Sequence, residues 1–126
     1  MKLTKNFNKS EFDCQDGSEM PIDVLDNIRI TAENLQVLRD YIEEPININS
    51  AYRSVQHNKR IGGTPKSQHV KGLAVDIRVN GYTTKKLYKL INKLIHNGTL
   101  KKGGLGLYKG FVHYDIRGYN ARWDNF

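Results

Sequence analysis

The sequence predicts an α+β domain, a small antiparallel sheet flanked by helices, on three observations. Apolar residues recur at helical spacing in two segments. Several short segments alternate as half-buried strands do. The order that results, helix, strand, strand, helix, strand, strand, mixes the two kinds in one unit. At 126 residues the chain is a single domain, 1–126, with room for a modest core and no second one.

In chain order, "KNFNKSEFDCQDGSEMP" reads as a loop with a short turn near Ser10–Phe12, given its Asn, Asp, Gly and Pro content. A long helix follows from Pro21, carried by Ile28, Leu35, Leu38 and Ile42, and Pro45 ends it. In "ININ", Ile46 and Ile48 alternate with Asn47 and Asn49, a half-buried strand running into Ser50 and Arg53. "NKRIGGTPKS" is a loop by its Gly-Gly and Pro. "GLAVDIRV" alternates again, with Leu73, Val75, Ile77 and Val79 on one face and Ala74, Asp76 and Arg78 on the other. The second helix spans about Thr84 to His96, with Leu87, Leu90, Ile91, Leu94 and Ile95 as its stripe and Gly98 as its stop. "GGLGLYKGFVHYDIRG" gives two short strands around a Lys-Gly turn. In the second of them Phe111, His113, Asp115 and Arg117 share a face.

No apolar run reaches membrane-spanning length and no charged-then-apolar leader opens the chain, so neither a span nor a signal peptide is expected. A lone Cys14 excludes an internal disulfide and any multi-cysteine zinc site, and reads as a small semi-buried hydrophobe. Charge is uneven. Residues 1–44 carry ten acids against five bases, a net of −5, whereas residues 45–126 carry fifteen bases against three acids, a net of +12. The basic part suggests a polyanionic neighbour, whether nucleic acid, teichoic acid or an acidic peptide. Its only acids are Asp76, Asp115 and Asp124, and two of these accompany a histidine.

Strand period places His113 and Asp115 on one face, roughly 7 Å apart. Asp76 projects from another strand, and His69 from the loop that feeds it. Two imidazoles and one carboxylate from separate elements suit a catalytic zinc, with ligand bonds of about 2.0–2.2 Å and a fourth position left to water. Such an ion lowers a water's pKa toward about 7 and polarises a carbonyl. An inward aspartate is then tolerable because a divalent cation neutralises it. His96 fits the negative end of a helix dipole and is given no role. His57, in the loop near Arg53, is read as structural.

The stretch "SAYRSVQHNKRIGGTPKSQHVKGLAVDI" resembles the core of the zinc D-Ala-D-Ala carboxypeptidases and their relatives, among them phage L-alanyl-D-glutamate endolysins and D-Ala-D-Ala dipeptidases. The shared pattern S-x-H-x-x-G-x-A-x-D is met by Ser67, His69, Gly72, Ala74 and Asp76, and the later histidine by His113. "FVHYDIRG…ARW" matches as well, so the likeness runs from about Phe7 to Trp123. The resemblance implies the hedgehog/DD-peptidase fold. It also implies one catalytic Zn2+ on His69, Asp76 and His113, and a substrate-binding arginine at Arg53. A guanidinium there would hold a peptide carboxylate through a bidentate, charge-assisted pair. Ser67 is a candidate for a further hydrogen bond to substrate or loop, and Tyr108 for stabilising the oxyanion. Gly72 would let the backbone turn between ligand loop and strand, and Ala74 would leave room beside the metal.

One position departs from the pattern. Several relatives place an acid or histidine two or three residues before the last ligand as general base, where this chain has Phe111 and Gly110. Asp115 is the nearest replacement. It would either take the water's proton and return it to the leaving amine, or orient a ligand histidine and pair with Arg117.

The function expected is that of a monomeric zinc metallopeptidase hydrolysing a peptide bond in peptidoglycan stems, as carboxypeptidase or endolysin. It would be made in the cytoplasm and act at the cell wall, as a phage or prophage product. The competing reading is a zinc-containing, catalytically weak or inactive cell-wall-binding module of a phage tail or prophage. Nucleic-acid binding is not expected. No recognition helix or aromatic-glycine strand motif is present, and Lys85, Lys86, Lys89 and Lys93 form a solvated helix face.

Overall fold

A computed structural model describes all of residues 1–126. A 3-10 turn at Lys9–Phe12 precedes helix α1, Ile22–Ile42. Val24, Ile28, Ala32, Leu35, Leu38 and Ile42 form its buried stripe. The helix stops where Glu43 takes a left-handed conformation, φ 55°, two residues before Pro45. Strand β1, Ile46–Ser50, and helix α2, Val55–Arg60, come next. They are followed by β2, Ala74–Val79, and by α3, Thr84–His96, capped by the Thr83 hydroxyl, which accepts from the Lys86 N–H. The chain closes with β3, Gly104–Tyr108, β4, Val112–Asp115, and β5, Ala121–Asn125.

The five strands form one sheet in the order β1-β2-β4-β3-β5. The first four pair antiparallel, as expected, while β5 pairs parallel to β3. Val75, Ile77, Val79, Leu105, Val112 and Tyr114 join the buried residues of α1 and α3 in one core cluster. A fully buried side chain such as Leu35 or Ile91 contributes about 1.5–3 kcal/mol relative to exposure. Polar ties also fasten α1 to the sheet. Asn34 donates to the Tyr114 hydroxyl at 2.7 Å, and Thr31 donates to the Gly72 carbonyl at 2.8 Å.

Two elements differ from expectation. The segment expected to be loop from Asn58 begins inside α2, a six-residue helix whose first turn is capped by Ser54. With one buried residue, Asn58, it has no apolar stripe to betray it. Strand β5 was not expected either. It lies on the sheet edge with a mostly exposed, polar sequence, so no apolar alternation marks it.

Candidate metal centre and cleft

The sheet face opposite the Val75 and Ile77 side builds the site. Direct strand partners across it run Asp76 on β2, His113 on β4, Gly106 on β3 and Trp123 on β5. His69 reaches this row from the turn before β2, where Gly72 reverses the chain at φ 75°. His69, Asp76 and His113 are all buried, and one donor atom from each lies within 4.8 Å of the others.

The Asp76 Oδ1 atom is the pivot. It lies 3.2 Å from His69 Nε2 and 3.1 Å from His113 Nδ1. The remaining ring nitrogens are anchored. His69 Nδ1 is 2.7 Å from the Ala51 carbonyl, and His113 Nε2 is 2.7 Å from Asp115 Oδ2. A carbonyl and an ionised carboxylate only accept, so those nitrogens carry the protons. A ring that carries only that one proton turns a lone pair toward the Asp76 oxygen. Three lone pairs facing one another in a buried site repel unless a cation lies among them.

That arrangement fits zinc. A tetrahedron with bonds of about 2.0–2.1 Å has edges of roughly 3.3–3.4 Å, close to the separations at Asp76. In the metal-free chain a proton serves instead. Burial opposes charge on both His113 and Asp76. On His113 the bonds to Asp115 and Asp76 outweigh it and raise the imidazole above its ordinary value. On Asp76 the bonds from His113 and His69 hold the carboxyl well below the usual carboxylate range.

Around these three residues lies a surrounding set of partners. Arg53 donates through Nη2 to the other Asp76 oxygen at 3.1 Å, and through Nε to the Ser50 hydroxyl at 3.2 Å. Asp115 has a fully buried carboxylate that accepts from Gly104 N–H, Arg117 N–H, Arg117 Nε and Nη2, besides facing His113. Burial opposes its charge, but the bonds from His113, Arg117 and Gly104 hold it ionised.

Two glycines make this possible. A Cβ on Gly104 would fall 2.4 Å from Asp115 Oδ2, and one on Gly106 would fall 2.2 Å from Trp123 Nε1. The indole therefore lies over Gly106 and meets the His113 ring at a centroid distance of 5.0 Å.

The site opens into a cleft of about 940 Å³. Arg53, Ser67, His69, Asp76, Tyr108 and His113 all line it, so the structure brings these expected residues together. Asp115 is excluded from the lining and lies beneath it. The Ser67 hydroxyl accepts from His69 N–H at 3.2 Å and so braces the ligand loop. Tyr108 stacks on Phe111 and accepts a hydrogen bond from Trp123 Nε1 at 2.9 Å.

Trp123, Arg117, Tyr119, Lys66 and Lys71 also line the cleft; of these only Arg117 was singled out from sequence, as a partner for Asp115. The glycine alternation in "GGLGLY" was the available signal, since small residues on one strand face make room for large ones beside them. His96 is exposed at the end of α3, outside the cleft.

The peptidase M15 family model matches residues 5–115. The chain belongs to the peptidase M15 family. Membership makes it a metallopeptidase of zinc-dependent type, related to the D-Ala-D-Ala carboxypeptidases, and the buried His-Asp-His group supplies candidate ligands for the ion. No curated protein matches the chain. No helix of this M15 protein is long and apolar enough to cross a membrane.

Proposed function

We propose that this M15 chain is a zinc peptidase that cleaves the peptide stems of bacterial cell wall, holding one catalytic ion on His69, Asp76 and His113. The observation that carries the reading is the orientation of His69 Nε2 and His113 Nδ1 toward one Asp76 oxygen, with both opposite nitrogens tied down. When bound, the zinc supplies Lewis acidity for a peptide carbonyl and lowers the pKa of an attacking water.

The chain's own residues supply the rest. Arg53 spends part of its guanidinium on Asp76 and Ser50 and keeps other N–H groups for a substrate carboxylate. Tyr108 receives the Trp123 N–H, which leaves its own hydroxyl proton free to be donated to a developing oxyanion. The cleft carries Arg53, Lys66, Lys71 and Arg117 against the single carboxylate Asp76, a lining suited to an acidic peptide. Of the two roles open to Asp115, its bonding supports the positioning one: it fixes the tautomer and direction of the His113 ring.

One observation favours a second reading. Apart from Asp76 the cleft lining holds no carboxylate, so no free acidic residue faces the reacting centre as a proton acceptor. A zinc-containing cell-wall-binding module of a phage tail or prophage, weak or inactive in hydrolysis, fits that feature. Mass spectrometry of digested peptidoglycan separates the two. New peptide termini that depend on zinc support the peptidase and name the bond cut. One bound zinc with intact fragments across the panel supports the module.

A further inference from the structure

We infer that the chain has a second metal site, formed by Cys14, Asp16 and His57, which takes a borderline-soft divalent ion such as zinc and clips the N-terminal segment to helix α2. These residues each bring a donor atom within 4.8 Å of the others, and none of them belongs to the cleft. They come from two separate parts of the chain, the loop after the 3-10 turn and the first turn of α2.

The donor set is specific in its chemistry. A thiolate, an imidazole and a carboxylate together suit zinc or cobalt, with a fourth position for water, and exclude the all-oxygen preference of magnesium or calcium. Cys14 is buried, His57 half-buried, and Asp16 turns an otherwise exposed residue's carboxylate inward, its side chain 13% exposed. An ion there would sit near the surface with a protein floor beneath it.

Ser54 braces Cys14 and Asp16. Its backbone N–H points to Cys14 Sγ at 3.4 Å, its hydroxyl donates to Asp16 Oδ2 at 3.0 Å, and that same hydroxyl accepts from His57 N–H at 3.1 Å. Ser54 is itself buried. Ser54 thus contacts the Cys14 and Asp16 donor atoms directly and, through the helix cap, ties the His57 backbone beside them. Arg60 also approaches Asp16 Oδ2, at 3.5 Å, but its side chain is 66% exposed and free to turn to solvent when an ion takes the carboxylate.

The position gives the clip a use. Ser54 directly follows Arg53, and Asn58 on α2 lies 3.5 Å from Arg53 Nη1. Holding α2 against the N-terminal loop holds the arginine wall of the cleft in place.

Cobalt(II) titrated into the metal-free chain tests this directly. Cys14 is the only cysteine, and the His69, Asp76 and His113 group contains no sulfur. A sulfur-to-cobalt charge-transfer band in the near ultraviolet therefore reports the second site alone. The expected result is two equivalents bound with that band present. His69→Ala should lose one equivalent and keep the band. His57→Ala and Cys14→Ser should each lose the other equivalent and the band. A single equivalent with no band in the unaltered chain overturns the inference, as does an undiminished band in His57→Ala. If Cys14→Ser does not fold, as judged by circular dichroism, the unaltered chain and His57→Ala still decide it.

Discussion

Asp115 Oδ2 lies 2.7 Å from Nε2 of His113, two residues earlier on the same strand, and this contact sets which nitrogen of that imidazole faces Asp76. If Asp115 acts by positioning, Asp115→Ala weakens zinc binding by about 10–100-fold, because a ligand histidine loses its orienting partner. Competition against a chelator of known affinity checks this. Unchanged zinc affinity with a collapsed kcat would instead identify Asp115 as a proton carrier. The same variant strands the Gly104 N–H and Arg117, at a cost of about 1–3 kcal/mol of stability for an unsatisfied buried group.

Gly106 gives a second test. A methyl group there collides with the indole nitrogen, so Gly106→Ala must push Trp123 off His113. We expect a loss of about 1–3 kcal/mol in stability, the usual cost of overpacking. Trp123 is the only tryptophan, so the shift should appear directly in its fluorescence. An unchanged emission spectrum with full activity would contradict the packing described.

Arg53 bonds Asp76 and also faces the cleft, so its loss should be felt twice. Arg53→Ala is expected to raise KM and to weaken metal binding, the latter by about 1.5–3 kcal/mol for a hydrogen bond to a charged group. Arg53→Lys keeps the charge without the fork and should recover little of the KM effect. Measuring KM and zinc affinity side by side separates the two contributions. A KM equal to that of the unaltered chain removes Arg53 from substrate binding.

A pH dependence follows from His113. Its pKa in the metal-free fold is raised above 6.5 by its carboxylate partners against the effect of burial, and zinc must displace that proton. Zinc affinity should therefore climb with pH until the raised pKa is passed, then level off. Asp76, held below the usual range, stays ionised throughout. The stability of the metal-free fold runs the other way. The His113 contribution is complete below its ordinary value and is lost as pH rises through the raised one. Zinc affinity that stays flat from about pH 6 to pH 8 would contradict this assignment.

The sequence revealed the site better than its surroundings. His69, Asp76 and His113 were legible because strand period and a matched motif constrain them jointly, and α1 and α3 because their apolar stripes are long. Helix α2 was hidden since six residues held by a serine cap need no stripe. Trp123 was hidden for a different reason: it joins the site through a parallel edge strand, and only the pairing of Gly106 with Trp123 shows that it reaches His113. The bonding of Asp115 was readable in part: alternation put it on one face with His113 and Arg117, both of which it meets, but gave no sign of the Gly104 N–H that it also accepts. Cys14 and His57, each read singly as structural, gain meaning only from standing together.

The central claim is that His69, Asp76 and His113 hold the ion on which hydrolysis depends. The most direct measurement is peptide release from purified peptidoglycan by the full chain, first stripped of metal and then supplied with zinc, with His69→Ala alongside. The account predicts no release from the stripped protein, recovery on adding zinc, and none from His69→Ala at any zinc concentration. Release by the stripped protein, or by His69→Ala at the rate of the unaltered chain, would contradict it.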